Sequence, residues 1–327
     1  MAWPITIQDV EQAARDIHQH LAPTALRHYR ALDQLTGLRL LVKHENHQPT
    51  NAFKIRNALA AMSRLTDDQK QRGVIVTTSG NFGFGSAWAG RALGIRIVAC
   101  VAEVGVTADR IDMLRELGAE VVKKGRDYDE ATLETKRLVQ ERGLTEIHGI
   151  DHPLIPAGAG SITLEMLAQA EAMGESIDAI VFAIGGGSQA VGGMTVLRAR
   201  GIDIPVYGVQ AAGASAQHDS YHAGQPIPTD TPTTFATGLA TRDVYDLTFR
   251  PLCEGLTDFV LADDAELAEA MRLMIEGTHN LVEPSGAAGL AGALKLADQL
   301  AGKTVAIVLS GSNIDTVTLT RVLNRQI

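Results

Sequence analysis

Cysteine is almost absent from this chain. Its 327 residues contain two, Cys100 in an apolar strand-like run and Cys253 in a loop-like one, with no metal-ligand spacing between them. The pattern reads as two spectator thiols, not as a disulfide framework or a zinc module. Basic clusters are missing too. The net charge is -9, the pI is near 5.6, and no dense Lys/Arg stretch is interleaved with the aromatic residues, which make up 4% of the chain. A nucleic-acid surface and an anionic membrane are thereby excluded as partners, and small metabolites remain. No uninterrupted apolar stretch approaches bilayer length, and Met1-Ala2-Trp3-Pro4-Ile5-Thr6 lacks a basic region followed by an apolar core. A soluble, cytoplasmic protein is expected. Tandem repeats, heptads and low-complexity tracts are absent as well.

What is present is apolar and periodic. Hydrophobic residues are 45% and charged residues 20% of the chain, enough for a well-buried core in one or two globular domains. Ile7, Val10, Ala13, Ala14, Ile17 and Leu21 predict an amphipathic helix over 6–20, and a strand is predicted over 38–43. Short β-branched runs at 74–78, 95–101 and 119–123 then alternate with helical patterns at 86–93, 108–117 and 129–141. A second series of strands follows at 179–184, 204–209 and 305–309. This rhythm predicts an α/β protein with two doubly wound open-sheet units, whose ligands bind at the carboxyl ends of strands. Residues 211–234, rich in Gly, Ala, Pro and Thr, are expected to form a surface loop that includes His218-Asp219.

The chain is organised around Gln48-Pro49-Thr50-Asn51-Ala52-Phe53-Lys54-Ile55-Arg56-Asn57-Ala58, a turn opening into a helix. Lys54 falls in the first helical turn, close to the positive end of the dipole. A lone lysine there is ordinarily just solvent-exposed. The dipole and any burial, however, both lower its pKa toward the free amine that a Schiff base requires.

Three glycine-bearing loops at strand ends give that lysine company. The first is Thr77-Thr78-Ser79-Gly80-Asn81-Phe82-Gly83-Phe84-Gly85. Its glycines free backbone N–H groups to face an anion, and Ser79 and Asn81 add neutral polar contacts for a carboxylate or ring oxygen. A dinucleotide site is disfavoured, because the third glycine of G-x-G-x-x-G is missing and no acidic residue ends the next strand. The second loop, Gly185-Gly186-Gly187-Ser188, follows an apolar strand and opens a helix. Three consecutive glycines there make a nest of amides suited to a phosphate. The third, Leu309-Ser310-Gly311-Ser312-Asn313, offers Ser310 to a ring nitrogen.

Together these motifs resemble the fold-type II pyridoxal-phosphate enzymes, with a tryptophan synthase β-like fold, and within them the threonine/serine dehydratase and serine racemase family. Gly118-Ala119-Glu120-Val121-Val122, Ala157-Gly158-Ala159-Gly160-Ser161, Thr237-Gly238-Leu239-Ala240 and Glu283-Pro284-Ser285-Gly286 extend the resemblance over nearly the whole chain. It implies a large cofactor-binding domain of residues 1–70 plus 150–327 and a small mobile domain of residues 71–149 carrying the substrate loop. It further implies pyridoxal 5'-phosphate as cofactor, with Lys54 as Schiff-base lysine and α-proton base. Phe53 is expected beside the ring, Asn81 at the ring hydroxyl oxygen, Gly185, Gly186, Gly187 and Ser188 at the phosphate, and Ser310 at the pyridine nitrogen. Thr78, Ser79, Gly80, Asn81 and Phe82 are expected around an amino acid substrate. Ser79 also matches the residue that reprotonates the opposite face in racemases. A homo-oligomer, specifically a dimer, is implied.

The chain departs from the family pattern in several places. The dehydratase loop carries histidine where this chain has Phe82, which points to a drier pocket and an apolar or aryl β-substituent. The fourth glycine of the phosphate loop is Ser188, the usual glutamine is Ala159, and the usual aspartate before Gly-Leu-Ala is Thr237. The family's metal-ligating glutamate is Gln210, followed by Ala211, Ala212, Gly213 and Ala214. A neutral amide is a weak ligand for a hard cation, so no metal site is expected. The activity implied is an ammonia-lyase acting on threonine, serine or a bulkier 3-phenylserine. A serine-type racemase or β-replacement enzyme is the nearest alternative, and a noncatalytic metabolite- or cofactor-binding protein the alternative from another class.

Overall fold

A computed structural model describes residues 3–126 and 128–327 of the chain. Ten strands lie among the described residues: β1 (Leu26–His28), β2 (Arg39–His44), β3 (Val74–Thr77), β4 (Ile97–Val101), β5 (Glu120–Lys123), β6 (Thr145–Glu146), β7 (Ala179–Ala183), β8 (Val206–Ala211), β9 (Asp258–Ala262) and β10 (Thr304–Leu309). They form a 6-stranded sheet of order β1-β2-β10-β7-β8-β9 and a 4-stranded sheet of order β5-β4-β3-β6. Every pairing is parallel except that of β1 with β2.

The central strands are apolar without alternation because helices cover both faces of each sheet. In the large sheet Val42, Val181 and Ile307 face the helix Pro284–Lys295, while Ile180, Phe182 and Val308 face the helices Leu154–Ala172 and Ser188–Arg200. In the small sheet Val76 and Ala99 pack on the helix Asn81–Leu93 and on the helix Lys54–Ser63. Ile75 and Val98 cover the other side against Leu138.

The structure departs from the expected pattern in four places. The helix predicted over 86–93 already begins at Asn81, which puts Phe82 and Phe84 on the helix rather than in a loop. Its glycines serve close packing, since a Cβ on Gly85 would stand 2.7 Å from the Ile55 nitrogen. The stretch 211–234 is not all loop: it holds the helix Ala216–Ala223, which carries His218 and Asp219. Cys253 likewise lies within a helix, Asp246–Gly255, and not in a loop. The 19-residue helix Leu154–Ala172 escaped the pattern because it is buried along most of its length and shows no polar stripe.

Beneath the Lys54 turn lies a buried ionic network. Arg56 points away from the cavity described below and is fully buried. Its Nε and Nη2 donate to Glu45 at 2.7 and 2.9 Å, and its Nη1 and Nη2 to Glu165 at 2.6 and 2.8 Å. Ser161 Oγ takes the remaining Nη1 proton at 3.1 Å. Lys43, equally buried, donates to Glu165, Gln169 and the Thr24 carbonyl. Two cations and two carboxylates thus balance, and the helix that starts at Lys54 is joined to β2 and to the helix Leu154–Ala172.

Candidate active site

Four connections that leave the carboxyl ends of β2, β3, β7 and β10 converge on one cavity of about 520 Å³, within the range of small-molecule sites. Phe53 and Lys54, residues 78–82, residues 185–188 and Ser310 all open onto it.

Lys54 is placed by a clip between two loops. Ala52 bridges Gly311 in antiparallel fashion, Phe53 N donates to the Ser310 carbonyl at 3.1 Å, and Ser312 N donates to the Asn51 carbonyl at 2.9 Å. Asn51 takes a left-handed conformation, φ 56°, to make the turn, one that asparagine tolerates better than most residues. Lys54 is therefore the first residue of its helix, with Nζ 4.7 Å from the Phe53 ring centroid. Its side chain is only half-buried by surface area, yet the surface it keeps faces the cavity rather than bulk water. Burial pushes its ammonium down from the usual 10.5 to about 8, against the opposing charge of Glu283. The amine is poised for nucleophilic and basic chemistry.

The glycine loop after β7 is a cradle that side chains would fill. A Cβ on Gly185 would lie 2.4 Å from the Gly238 carbonyl oxygen, and one on Gly186 would lie 2.5 Å from Ile150 Cγ2. Gly187, at φ 84°, caps the helix Ser188–Arg200, so that helix's free N–H groups face the cavity. Beside it Gln189, 3% exposed and lining the cavity, has both amide atoms without a hydrogen-bond partner among the described residues. A buried amide left in that state calls for a polar ligand. A primary amine, an anion cradle and neutral polar side chains between them fit pyridoxal phosphate. Replacing Gly185 with alanine is expected to lower affinity for that cofactor at least about tenfold, because backbone cannot yield as a side-chain tip can; titration of the apo-protein by fluorescence quenching checks it.

On the opposite wall, Thr78 Oγ1 accepts from Gly80 N at 3.1 Å and Gly83 N at 2.9 Å, which shapes the loop around Ser79. Arg110 Nη1 donates to the Ser79 carbonyl at 2.8 Å. Phe82, 8% exposed, packs against Gly149, where a Cβ would come within 2.7 Å of its ring. Ser310 Oγ donates to the Ser285 carbonyl at 3.3 Å. Asn81 Nδ2 donates to Glu283 at 2.6 Å, and burial pushes the Glu283 carboxyl up to about 7.

Sequence reasoning assigned no role to Glu283, Arg110 or Gln189. Glu283 stood in a quoted motif, but its partner is distant in the chain; Arg110 sits in an ordinary amphipathic helix with no local signal. Gln210 is fully buried, with its Oε1 accepting from His218 N at 3.0 Å and its Nε2 donating to Thr241 at 3.4 Å. Both ends of the amide are thus engaged. Asp219 pairs with His218 and accepts from Ser215. Among the described residues no group of three or more His, Cys, Asp or Glu side chains is arranged to hold a metal ion.

Comparison with known proteins places this geometry. Over 304 residues the chain is 33% identical to the L-threonine dehydratase biosynthetic IlvA of Pasteurella multocida, covering 92% of this chain and 58% of that protein. It therefore spans less than two thirds of that relative's length. It is 34% identical to an L-threo-3-hydroxyaspartate ammonia-lyase from Pseudomonas sp, over 94% of this chain and 95% of the other. The structure of maize serine racemase superposes with a TM-score of 0.91 at 27% identity, over 99% of this chain and 98% of that one. Residues 17–311 match the family described as pyridoxal-phosphate dependent enzyme. With its lysine, glycine cradle and two-sheet frame, the chain belongs to the pyridoxal-phosphate dependent enzyme family.

Proposed function

We propose that the protein is an ammonia-lyase that converts a β-hydroxy-α-amino acid to a 2-oxo acid and ammonia. The observation that carries this reading is the Lys54 amine, its pKa lowered by burial to about 8, on a cavity it shares with the glycine cradle and the Ser79 loop. When bound, pyridoxal phosphate supplies the electron sink that permits Cα–H cleavage and loss of a β-substituent. The chain supplies the rest. Residues 185–188 bind the phosphate through backbone N–H groups, and Ser310 Oγ meets the ring nitrogen as a neutral partner. Ser79 and the neighbouring amides hold the substrate carboxylate, and Phe53 flanks the ring. Lys54 Nζ takes the α-proton. Water is lost from Cα and Cβ and regained when the released enamine hydrolyses, so the products balance as the oxo acid and ammonium.

Phe82 favours an aryl β-substituent. It lines the cavity, and its ring packs against Gly149 there. Turnover of L-threo-3-phenylserine is expected to exceed that of L-threonine at equal concentration, and Phe82→His to shift the ratio toward threonine by about tenfold, the scale of one apolar pocket contact. Release of 2-oxo acid by the cofactor-loaded protein measures both.

Arg110 favours a second reading, an acidic β-hydroxy amino acid. Its guanidinium lines the cavity and makes no ion pair among the described residues. Preference for L-threo-3-hydroxyaspartate, lost in Arg110→Ala, would select that reading over the aryl one. Release from none of the three substrates would reject these substrate readings and direct attention to racemisation and to other β-hydroxy amino acids.

A further inference from the structure

Asn81 stands where the two sheets meet. It opens the helix that follows β3 of the small sheet. Two groups from the large-sheet side engage its carboxamide, Asn313 in the loop after β10 and Glu283 just before the helix Pro284–Lys295, and the Thr50 carbonyl in the turn after β2 in turn accepts from Asn313.

These contacts fix the amide without ambiguity. A backbone carbonyl only accepts, so the Thr50 oxygen, 2.8 Å from Asn313 Nδ2, identifies that atom as nitrogen. The same nitrogen lies 2.7 Å from the facing atom of Asn81, which must then be oxygen. Asn81 consequently turns its nitrogen to Glu283 at 2.6 Å. A Cβ on Gly311 would stand 2.1 Å from Glu283 Oε1, so the carboxylate reaches this place only because residue 311 is glycine. With its oxygen engaged by Asn313 and one N–H by Glu283, Asn81, a residue of the cavity lining, has one N–H left over.

We propose that Glu283 and Asn313 are positioning residues that hold Asn81 as a hydrogen-bond donor to the cofactor's ring oxygen, so that the site selects the ionised form of that oxygen. This rests on the pyridoxal-phosphate reading given above. Neither residue takes part in bond making. They act by denying Asn81 the flipped orientation, in which its oxygen would meet a ring oxyanion.

The test is a double-mutant cycle read by cofactor binding and by the visible absorbance band of the bound cofactor. Asn313→Asp replaces a donor by an acceptor facing two oxygens and is expected to weaken pyridoxal-phosphate binding at least about tenfold and to shift the band. Glu283→Ala is expected to weaken binding about fivefold or more. Glu283→Gln, whose side-chain oxygen still accepts from Asn81, is expected to restore binding to within about twofold of the unsubstituted protein. In an Asn81→Ala background, Asn313→Asp and Glu283→Ala are each expected to change binding less than twofold. Full effects in that background, or none in the native one, would overturn the proposal. Melting of each apo-variant identifies the folded ones, and the cycle is read from those. Borohydride reduction of the cofactor-loaded native protein separates this inference from the reading beneath it. A label absent from Lys54 rejects that reading and the inference with it, whereas a label on Lys54 without the predicted coupling rejects the inference alone.

Discussion

Arg56→Ala is expected to destabilise the protein by roughly 3–5 kcal/mol, the scale of a buried ion pair broken from one side. Arg56 is fully buried, and each of its N–H donors is taken by Glu45, Glu165 or Ser161. Removing the guanidinium leaves Glu45 buried without its cation and Glu165 with Lys43 as its remaining buried one. Arg56→Lys keeps the charge but loses the planar fork that serves two carboxylates at once, so it should fall between the two. The Arg56 guanidinium and Lys43 hold the Glu165 carboxyl at about 2, below its usual 4.5, despite burial that pushes it up. Its contribution is therefore complete above pH 4.5 and lost as pH falls through about 2. Urea unfolding of the three proteins at neutral pH measures the first effect. A loss under about 1 kcal/mol would mean that the network adds little to the fold.

Lys54→Ala should act in the opposite way. The substitution removes one amine that serves both as cofactor anchor and as proton acceptor, and 2-oxo acid release is expected to fall by on the order of 10⁴-fold. Stability should not fall with it. Because the folded pKa of Lys54 is about 8 against the usual 10.5, the unfolded chain holds this proton more tightly. The lysine therefore weakens the fold below about pH 8 and ceases to do so above 10.5. The cofactor-free variant should melt no lower than the parent at pH 7, and the difference should vanish at high pH. Turnover surviving the substitution would refute the assignment of Lys54.

The contrast between Lys54 and Arg56 shows where sequence reasoning stops. Helical position together with any burial suggested a depressed lysine pKa, and the three glycines at 185–187 suggested a nest of amides for a phosphate, whereas the crowding that excludes a Cβ there showed only in the structure. Arg56 was merely part of the same motif. Its partners Glu45 and Glu165 lie 11 and 109 residues away, and no periodicity links them. Asn81 and Glu283 are separated by 202 residues. Such pairs are set by how sheets stack, which a single chain does not spell out. Strand patterns were readable where parallel pairing buries both faces, as in β10, whose residues are all buried. β1 and β6 were missed for want of length, having 3 and 2 residues. β9 was missed because Asp258, Val260 and Leu261 are less buried than the residues of a central strand.

The position of β10 has a bearing on how the molecule is built. It is the latest described strand in chain order, yet it lies between β2 and β7 in the middle of the large sheet. As the chain emerges during synthesis, β2 and β7 have no partner to join them until β10 arrives. Both present open edges meanwhile, prone to pairing with other chains. The glycine cradle and the lysine turn hang from those two strands, and the loop after β10 clips the lysine turn in place. The site therefore comes together late, and shortened chains lacking β10 should accumulate as aggregates rather than as partly active protein.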